Sequence, residues 1–350
     1  MISLLIVNFR SAALAACAIE SGRRAASVSL QVVVVDNSCD PVEAEALRPL
    51  ADVLLVSNRN RGYSGGINDG RRHCSGETII VCNPDVQFGS DALDHLHNAL
   101  ATAEVAGPAF SWDTAGAWLL PPGDVTTAWE KVDVILAGRS ASWRAWRDRR
   151  RVSRRIAFWS LNRSTSARTL SGAVLAIRAS TFDRLNGFDE RFALYFEETD
   201  FLRRLDEDGG VIAYVPAARC RHLYNQSAGQ TPVESAGHYA ESERKYLEKW
   251  NGPFLARILK RLERPQVAAP SQPLRGALAL DREDVVVEIS PLPGFETAAG
   301  HFPRSKLVEI PPEIVDSTRA GALYIRTVDR ETGEVLARYV REPVGSFRRD

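Results

Sequence analysis

The chain reads as an α/β protein, with a mostly parallel sheet covered by helices on both faces and a small antiparallel β domain at its C-terminal end. Three observations predict this. Short β-branched runs alternate with helical stretches through the first half. Each run is apolar throughout rather than alternating, as a strand buried on both faces requires. After residue 264 the pattern gives way to an aperiodic stretch and then to short strands joined by turns.

Taken in order, ISLLIVN, QVVVVDN, DVLLVSN and ETIIVCNPD are strands. SAALAACAIESGRR, PVEAEALRPL and GGINDGRRHC are the helices between them. From Ser171, SGAVLAIRASTFDRLNGFDERF gives a strand, a short helix and an aromatic turn that leads into YFEETDFLRRLDEDGG. GVIAYVP and ARCRH are expected as two further strands and VESAGHYAESERKYLEKW as a long polar helix, so a second lobe completes a domain over 1–264. PQVAAPSQP falls in a linker over 265–275. Residues 276–350 hold DVVVEIS, KLVEIPP, ALYIRTVD and EVLARYV, with RETGE as a hairpin turn, and are expected to form a small β-sandwich.

With 350 residues, 45% of them hydrophobic, the chain can fill two cores. Lys plus Arg and Asp plus Glu both number 44, so no global field calls for nucleic acid. The cysteines, Cys17, Cys39, Cys74, Cys82 and Cys220, are odd in number and scattered, without a CxxC pair. That argues against a disulfide framework or a zinc site and fits a reducing cytosol. MISLLIVNF carries no basic n-region or cleavage site, and nowhere do about 18 apolar residues run together, so neither an export signal nor a membrane span is expected.

Open α/β sheets bind ligands at the carboxyl ends of their strands, and here those ends read Asn8, Asp36-Asn37, Asn58 and Asn83-Pro84-Asp85. Asn and Asp also make turns and helix caps, which accounts for some of them. Asp36 suits a nucleobase imide or a ribose hydroxyl, or else an N-cap. Asp85 suits a hard divalent cation on a diphosphate, against the plain turn that NPD also makes. NRNRGYSGGINDG, residues 58–70, offers glycines, a helix start and Arg59 or Arg61 to an anion, or it is an ordinary turn. His222 ends a strand, where a surface role is the commoner one. YFEETDF sets Glu197, Glu198 and Asp200 between aromatic rings, which suits a helix start or a carboxylate with a raised pKa.

Together and in order, IVNF, VVVVDNS, NRGYSGGINDG, VCNPDV, SGAVLAIR, GFDERFALYFEETDFLRR and His222 resemble the inverting family 2 glycosyltransferases, particularly the bacterial rhamnosyltransferase-like members, over about residues 1 to 250. The resemblance implies a GT-A fold and a nucleoside-diphosphate sugar donor, with dTDP ahead of UDP or GDP. It implies transfer to a hydroxyl of a glycan or lipid-linked acceptor. Donor contacts fall on Asn8, Asp36, Asn37, Asn58, Arg61, Gly62, Gly65, Gly66, Asn68, Asn83 and Pro84, and acceptor contacts on Gly172, Phe196, Glu197 and Asp200. Asp85 and His222 match the ligands of Mg2+ or Mn2+, and Glu198 matches the general base. This chain departs in having Glu where the family's pair has Asp, and one acid in place of DxD. A non-catalytic nucleotide- or glycan-binding module with a C-terminal interaction domain is the rival. A dehydrogenase is disfavoured because no GxGxxG follows the first strand.

Residues 138–170 hold ten arginines against Asp148, with Trp143, Trp146 and Trp159. Such a mixture suits an anionic membrane surface or a lipid-diphosphate acceptor, or a segment packed on its own domain. Val152, Ile156 and Trp159 share a helical face, but Trp143 and Trp146 lie nearly opposite, so one continuous amphipathic helix is not expected. Peripheral contact with the inner face of the plasma membrane through 138–170, by a cytoplasmic protein, is the functional expectation.

Overall fold

The computed structural model describes residues 1–123, 126–223, 232–263, 269–318 and 321–342. The chain divides into two compact units: Met1–Ala109, Gly123–Ala128 and Asn162–Lys260 form the first, and Phe110–Pro122, Trp129–Leu161 and Arg261–Asp350 the second. The sequence suggests one boundary at 264, whereas in space two earlier segments join the C-terminal unit.

The elements follow the expected alternation: β1 (Ile2–Asn8), α1 (Ala12–Arg24), β2 (Leu30–Asp36), α2 (Pro41–Leu47), β3 (Val53–Val56), α3 (Gly62–Arg71) and β4 (Thr78–Cys82). Next come β5 (Val86–Phe88), α4 (Ala92–Ala99), β6 (Val105–Ser111), α5 (Ala128–Ala137), α6 (Ala141–Trp159) and β7 (Thr165–Ser166). The first unit closes with β8 (Val174–Arg178), α7 (Ala179–Arg184), α8 (Glu197–Glu207), β9 (Ile212–His222), α9 (Pro232–Asn251) and α10 (Pro253–Leu262). In the large sheet β3, β2, β1 and β4 run parallel. β8 then pairs antiparallel with β4 and β6 with β8, and β9 and β5 complete the order. All of β1 and β4 is buried, which explains their unbroken apolar character.

GVIAYVP and ARCRH merge into the single strand β9. Pro216 has no N–H to donate, and it lies outside the pairing of β9 with β7 at Ala213 and Tyr214 and with β5 from Cys220 to His222. All five cysteines are free thiols, three of them buried.

In the second unit β10 (Gln272–Pro273), β11 (Leu278–Ala279), β12 (Val285–Ser290), β13 (Ala299–His301), β14 (Leu307–Val308), α11 (Pro312–Ser317), β15 (Leu323–Asp329) and β16 (Val335–Arg341) follow. The sheet order is β10-β16-β15-β12-β13, and β11 pairs with β14. The expected sandwich is replaced by a sheet packed on α6. Val152 and Trp159 of α6 form a core with Val286 of β12 and Val328 of β15, flanked by Ile156 and Val335.

Residues 141–159 thus form one continuous helix, contrary to the expectation from its aromatic spacing. Its two halves bury different faces. Near the start, the Trp143 indole N–H and the Arg147 guanidinium both donate to the buried Asp133 of α5, at 2.7 and 3.0 Å. Further on, Arg155 reaches Glu288 at 3.2 Å, and Arg326 holds the other oxygen of that carboxylate at 2.5 Å. Burial pushes the Glu288 carboxyl up, but Arg326 and Arg155 outweigh it and hold its pKa below the usual range. Removing either arginine would leave a buried carboxylate short of charge, which commonly costs about 3–5 kcal/mol.

Candidate functional site

The site lies in the first unit, where β1, β2 and β4 end. Asn8 is fully buried there; its amide donates to Asp36 Oδ1 and Glu43 Oε2, both at 2.9 Å, and its Oδ1 accepts from Ser11. Asp36 also accepts from the Ser38 N–H and hydroxyl. As placed, Asn8 and Asp36 tie β1, β2 and α2 together, with Glu43 as a third member that strand-end reasoning does not find. Asn37, also buried, donates to the Gly62 carbonyl while its Oδ1 has no partner. Asn58 is exposed on the loop after β3.

The glycine stretch is packed closely against neighbouring backbone and side chains. The Gly62 N–H is taken by Asn60 Oδ1 at 2.8 Å and the Tyr63 N–H by the Ala193 carbonyl at 2.6 Å, so the helix start is already occupied by acceptors. Gly62 has φ +73° and sits against Ala193; a Cβ at Gly66 would stand 2.9 Å from both Val7 methyls. The Arg61 side chain lies across Gly65 and is committed to Asp69 and Glu190. Asn68 exchanges hydrogen bonds with the Phe188 backbone. What this stretch delivers into the site is Tyr63. Its hydroxyl is buried without a partner, and its pKa is pushed well above 10 by burial first and then by Glu197, Cys82, Glu198 and Asp85. The Tyr63 hydroxyl is thus a buried group on which the acids of two distant sequence segments act. Its position among glycines gives no sequence signal for that role.

Asn83, Pro84 and Asp85 form the turn between β4 and β5. The Asn83 N–H donates to the Ala173 carbonyl at 2.9 Å, which ties this turn to the segment before β8. Asp85 is 1% exposed, and its Oδ1 lies 3.3 Å from His222 Nε2. The register explains the pairing, since Val86, next to Asp85, stands opposite His222 in the β5–β9 ladder.

Glu197 and Glu198 open α8. The two residues before them, Tyr195 and Phe196, both take the left-handed conformation, at φ 67° and 68°. Such conformations cost non-glycine residues on the order of 1–3 kcal/mol each and persist only where packing enforces them. Here Phe196 is fixed in a core with Phe192 and Tyr246, and the Ser242 hydroxyl holds the Leu194 carbonyl at 2.7 Å. Phe196 is thus a packing residue. Asp200 is likewise drawn inward: it accepts from Arg204 at 2.8 Å, Lys249 at 2.6 Å and the Trp250 indole at 3.0 Å, so its carboxylate anchors α9 to α8.

Glu198 is the only one of these three acids that is half-buried rather than buried. Burial raises its pKa, while the backbone at Glu198 and Thr199 and the Thr199 hydroxyl act in the opposite sense. Its side chain lies on Gly172, where an added Cβ would stand 2.7 Å from Glu198 Cγ and 3.0 Å from Cδ. Gly172→Ala is therefore expected to push the carboxylate aside. Misplacement by about 1 Å costs on the order of 100-fold in catalysis. A steady-state assay should show kcat falling by that order with donor affinity retained. Unchanged kcat would mean the position of Glu198 does not matter.

Glu197 is buried, with Oε2 lacking a partner, and burial followed by Glu198 raises its pKa well above 4.5. A carboxyl whose folded pKa exceeds its unfolded value is tolerated while protonated and destabilises the fold as pH rises through the folded pKa. Glu197→Gln is expected to leave stability unchanged near about pH 4 and to raise it by roughly 1 kcal/mol or more near about pH 8. Thermal melts at the two pH values check this, and an equal shift at both would contradict it.

The mostly parallel sheet, with Asp85 set against His222 just beyond the end of β4, has the architecture of the GT-A glycosyltransferases. The chain belongs to the family described as Glycosyltransferase like family 2, which it matches over residues 2–242. Two similar curated proteins are both named N-acetylglucosaminyl-diphospho-decaprenol L-rhamnosyltransferase, from Mycobacterium tuberculosis strains CDC 1551 / Oshkosh and ATCC 25618 / H37Rv. Each is 29% identical over 259 residues, covering 64% of this chain and 78% of the relative. GalNAc-T7, solved with UDP, GalNAc and Mn2+, aligns with a TM-score of 0.51 at 13% identity over 71% of this chain and 48% of its own. The mannosyltransferase PcManGT from Pyrobaculum calidifontis, solved with GDP-Man and Mn2+, aligns at 0.45 and 15% identity over 75% of this chain and 73% of its own.

Proposed function

We propose that this glycosyltransferase moves a rhamnosyl group, with inversion, from a nucleoside-diphosphate donor to a hydroxyl of a lipid-linked glycan. The observation that carries the mechanism is the Tyr63 hydroxyl, buried and influenced by Glu198 and Asp85 together, which supports a shared pocket for both carboxylates. The sugar and acceptor classes rest on the named activity of the mycobacterial relatives.

Glu198 takes the acceptor proton as the acceptor oxygen bonds to the anomeric carbon and the bond from that carbon to the diphosphate oxygen breaks, its electron pair leaving with the nucleoside diphosphate. Burial suits Glu198 to this, because a raised pKa strengthens the base. Asp85, in the turn before β5, and His222, at the end of β9, bring a carboxylate oxygen and an imidazole nitrogen together. They fit a divalent ion, Mg2+ or Mn2+, that takes its remaining ligands from phosphate and water. Among the described residues no group of three His, Cys, Asp or Glu could hold a metal by itself, which agrees with a site completed by the donor. When bound, such an ion supplies charge neutralisation on the departing diphosphate. Tyr63 and Glu197 line the same pocket and offer a hydroxyl and a carboxyl group to sugar hydroxyls.

A thermal-shift panel of dTDP, UDP and GDP sugars, with and without Mn2+, tests the donor. A ligand at about 100 times its Kd stabilises by roughly 2.7 kcal/mol. A dTDP sugar is expected to give the largest shift, reduced by EDTA. No shift with any nucleotide sugar would overturn the proposal.

A further inference from the structure

We infer that α10 is a surface by which this chain rests on an anionic lipid membrane. The decapeptide PFLARILKRL contains no acid. At about 100° per residue its side chains sort into three arcs. Ala256 and Leu259 are buried in the first unit. Phe254 is 76% exposed, and Leu255, Ile258 and Leu262 are each 38% exposed, on a contiguous arc turned away from that core. Arg257, Lys260 and Arg261 are exposed on the arc beside it.

An apolar stripe bordered by cations is the form of a helix that lies in a membrane interface, its apolar face about 5–10 Å into the headgroup boundary. Charge decides the occupant. A second copy meeting this face about a twofold axis would bring Arg257 and Arg261 of both copies together, and like-charge juxtaposition opposes such pairing. Anionic headgroups meet the same cations favourably. Among the described residues no helix is long and apolar enough to cross a membrane, so contact through α10 would be peripheral.

The arginine-rich helix is committed elsewhere. Arg147 and Arg150 pair with Asp133, and Arg154 approaches Glu130. Arg151 donates to the carbonyls of residues 294–296. Arg155 is buried on Glu288. These five cations all contact residues of the second unit.

The test uses the full chain, co-sedimented with vesicles of phosphatidylglycerol and phosphatidylcholine or of phosphatidylcholine alone. Wild type should partition to the anionic vesicles, and raising NaCl from about 0.05 M to about 0.5 M should weaken this several-fold. The double substitution Phe254→Ser, Ile258→Ser should lower partitioning by about tenfold or more, with its melting temperature confirming a folded chain. Arg257→Glu with Arg261→Glu should lower it on anionic vesicles in particular, and Arg149→Ser with Arg163→Ser should change it little. Three outcomes overturn the inference: wild type fails to bind at low salt, the Phe254/Ile258 variant binds as wild type does, or sedimentation shows a wild-type dimer that this variant converts to monomer.

Discussion

Glu198→Gln is expected to lower kcat by about 10³-fold, within the 10²–10⁴ range typical of a lost general base, while donor binding stays within a few-fold of wild type. The substitution keeps the shape that Gly172 accommodates and removes only the ability to accept a proton. The wild-type pH profile carries the same signature. On the proposed assignment the base must be ionised, and burial raises the Glu198 pKa, so activity should fall with decreasing pH through a value above 4.5 rather than at it. In Glu198→Gln that limb should vanish from whatever activity remains. A kcat within threefold of wild type would remove Glu198 from the role, even if donor binding and fold were intact.

Asp85→Asn should produce the second largest loss, and in a different parameter. Asp85 is almost wholly buried against His222, so the isosteric amide preserves packing and deletes the charge that a divalent ion requires. Donor affinity in Mn2+ is expected to fall by about 10–100-fold, the range seen when support of a metal site is weakened, and to become insensitive to EDTA. Isothermal titration with a nucleotide sugar, with and without metal, separates this from a folding defect. If wild-type affinity is already indifferent to EDTA, and Asp85→Asn matches it, the metal assignment to Asp85 and His222 is lost. The base assigned to Glu198 would survive that result, because it rests on a different segment.

Much of the architecture was legible in local pattern. The unbroken apolar runs of β1, β2 and β4 state burial on both faces, and the structure buries them so. YFEETDF was legible as a helix start, and α8 does begin at Glu197. Less legible was the division of labour among its three acids. Asp200 differs from Glu198 through Arg204, Lys249 and Trp250, and the last two come from a helix about fifty residues further on. The packing of the glycine stretch was illegible for a related reason. Glycine permits close approach to anything, and only the fold shows that Val7 and Ala193 are among the neighbours. Likewise the arginine-rich segment has the composition of a membrane surface, and only Asp133 and Glu288 show where its charges go.

Sequence alone determined the α/β class, the order of the elements and the residue types at the strand ends, because side-chain period and strand-end polarity are properties of adjacent residues. Tertiary structure decided which of those residues meet. It brought His222 to Asp85 through the β5–β9 register, and it set Glu198 on Gly172 and turned Asp200 inward. It also sent the arginine-rich helix onto the C-terminal sheet while leaving the apolar face of α10 exposed. The physical reason is that a charge or an apolar face is assigned by what covers it, and the covering residues lie far away along the chain.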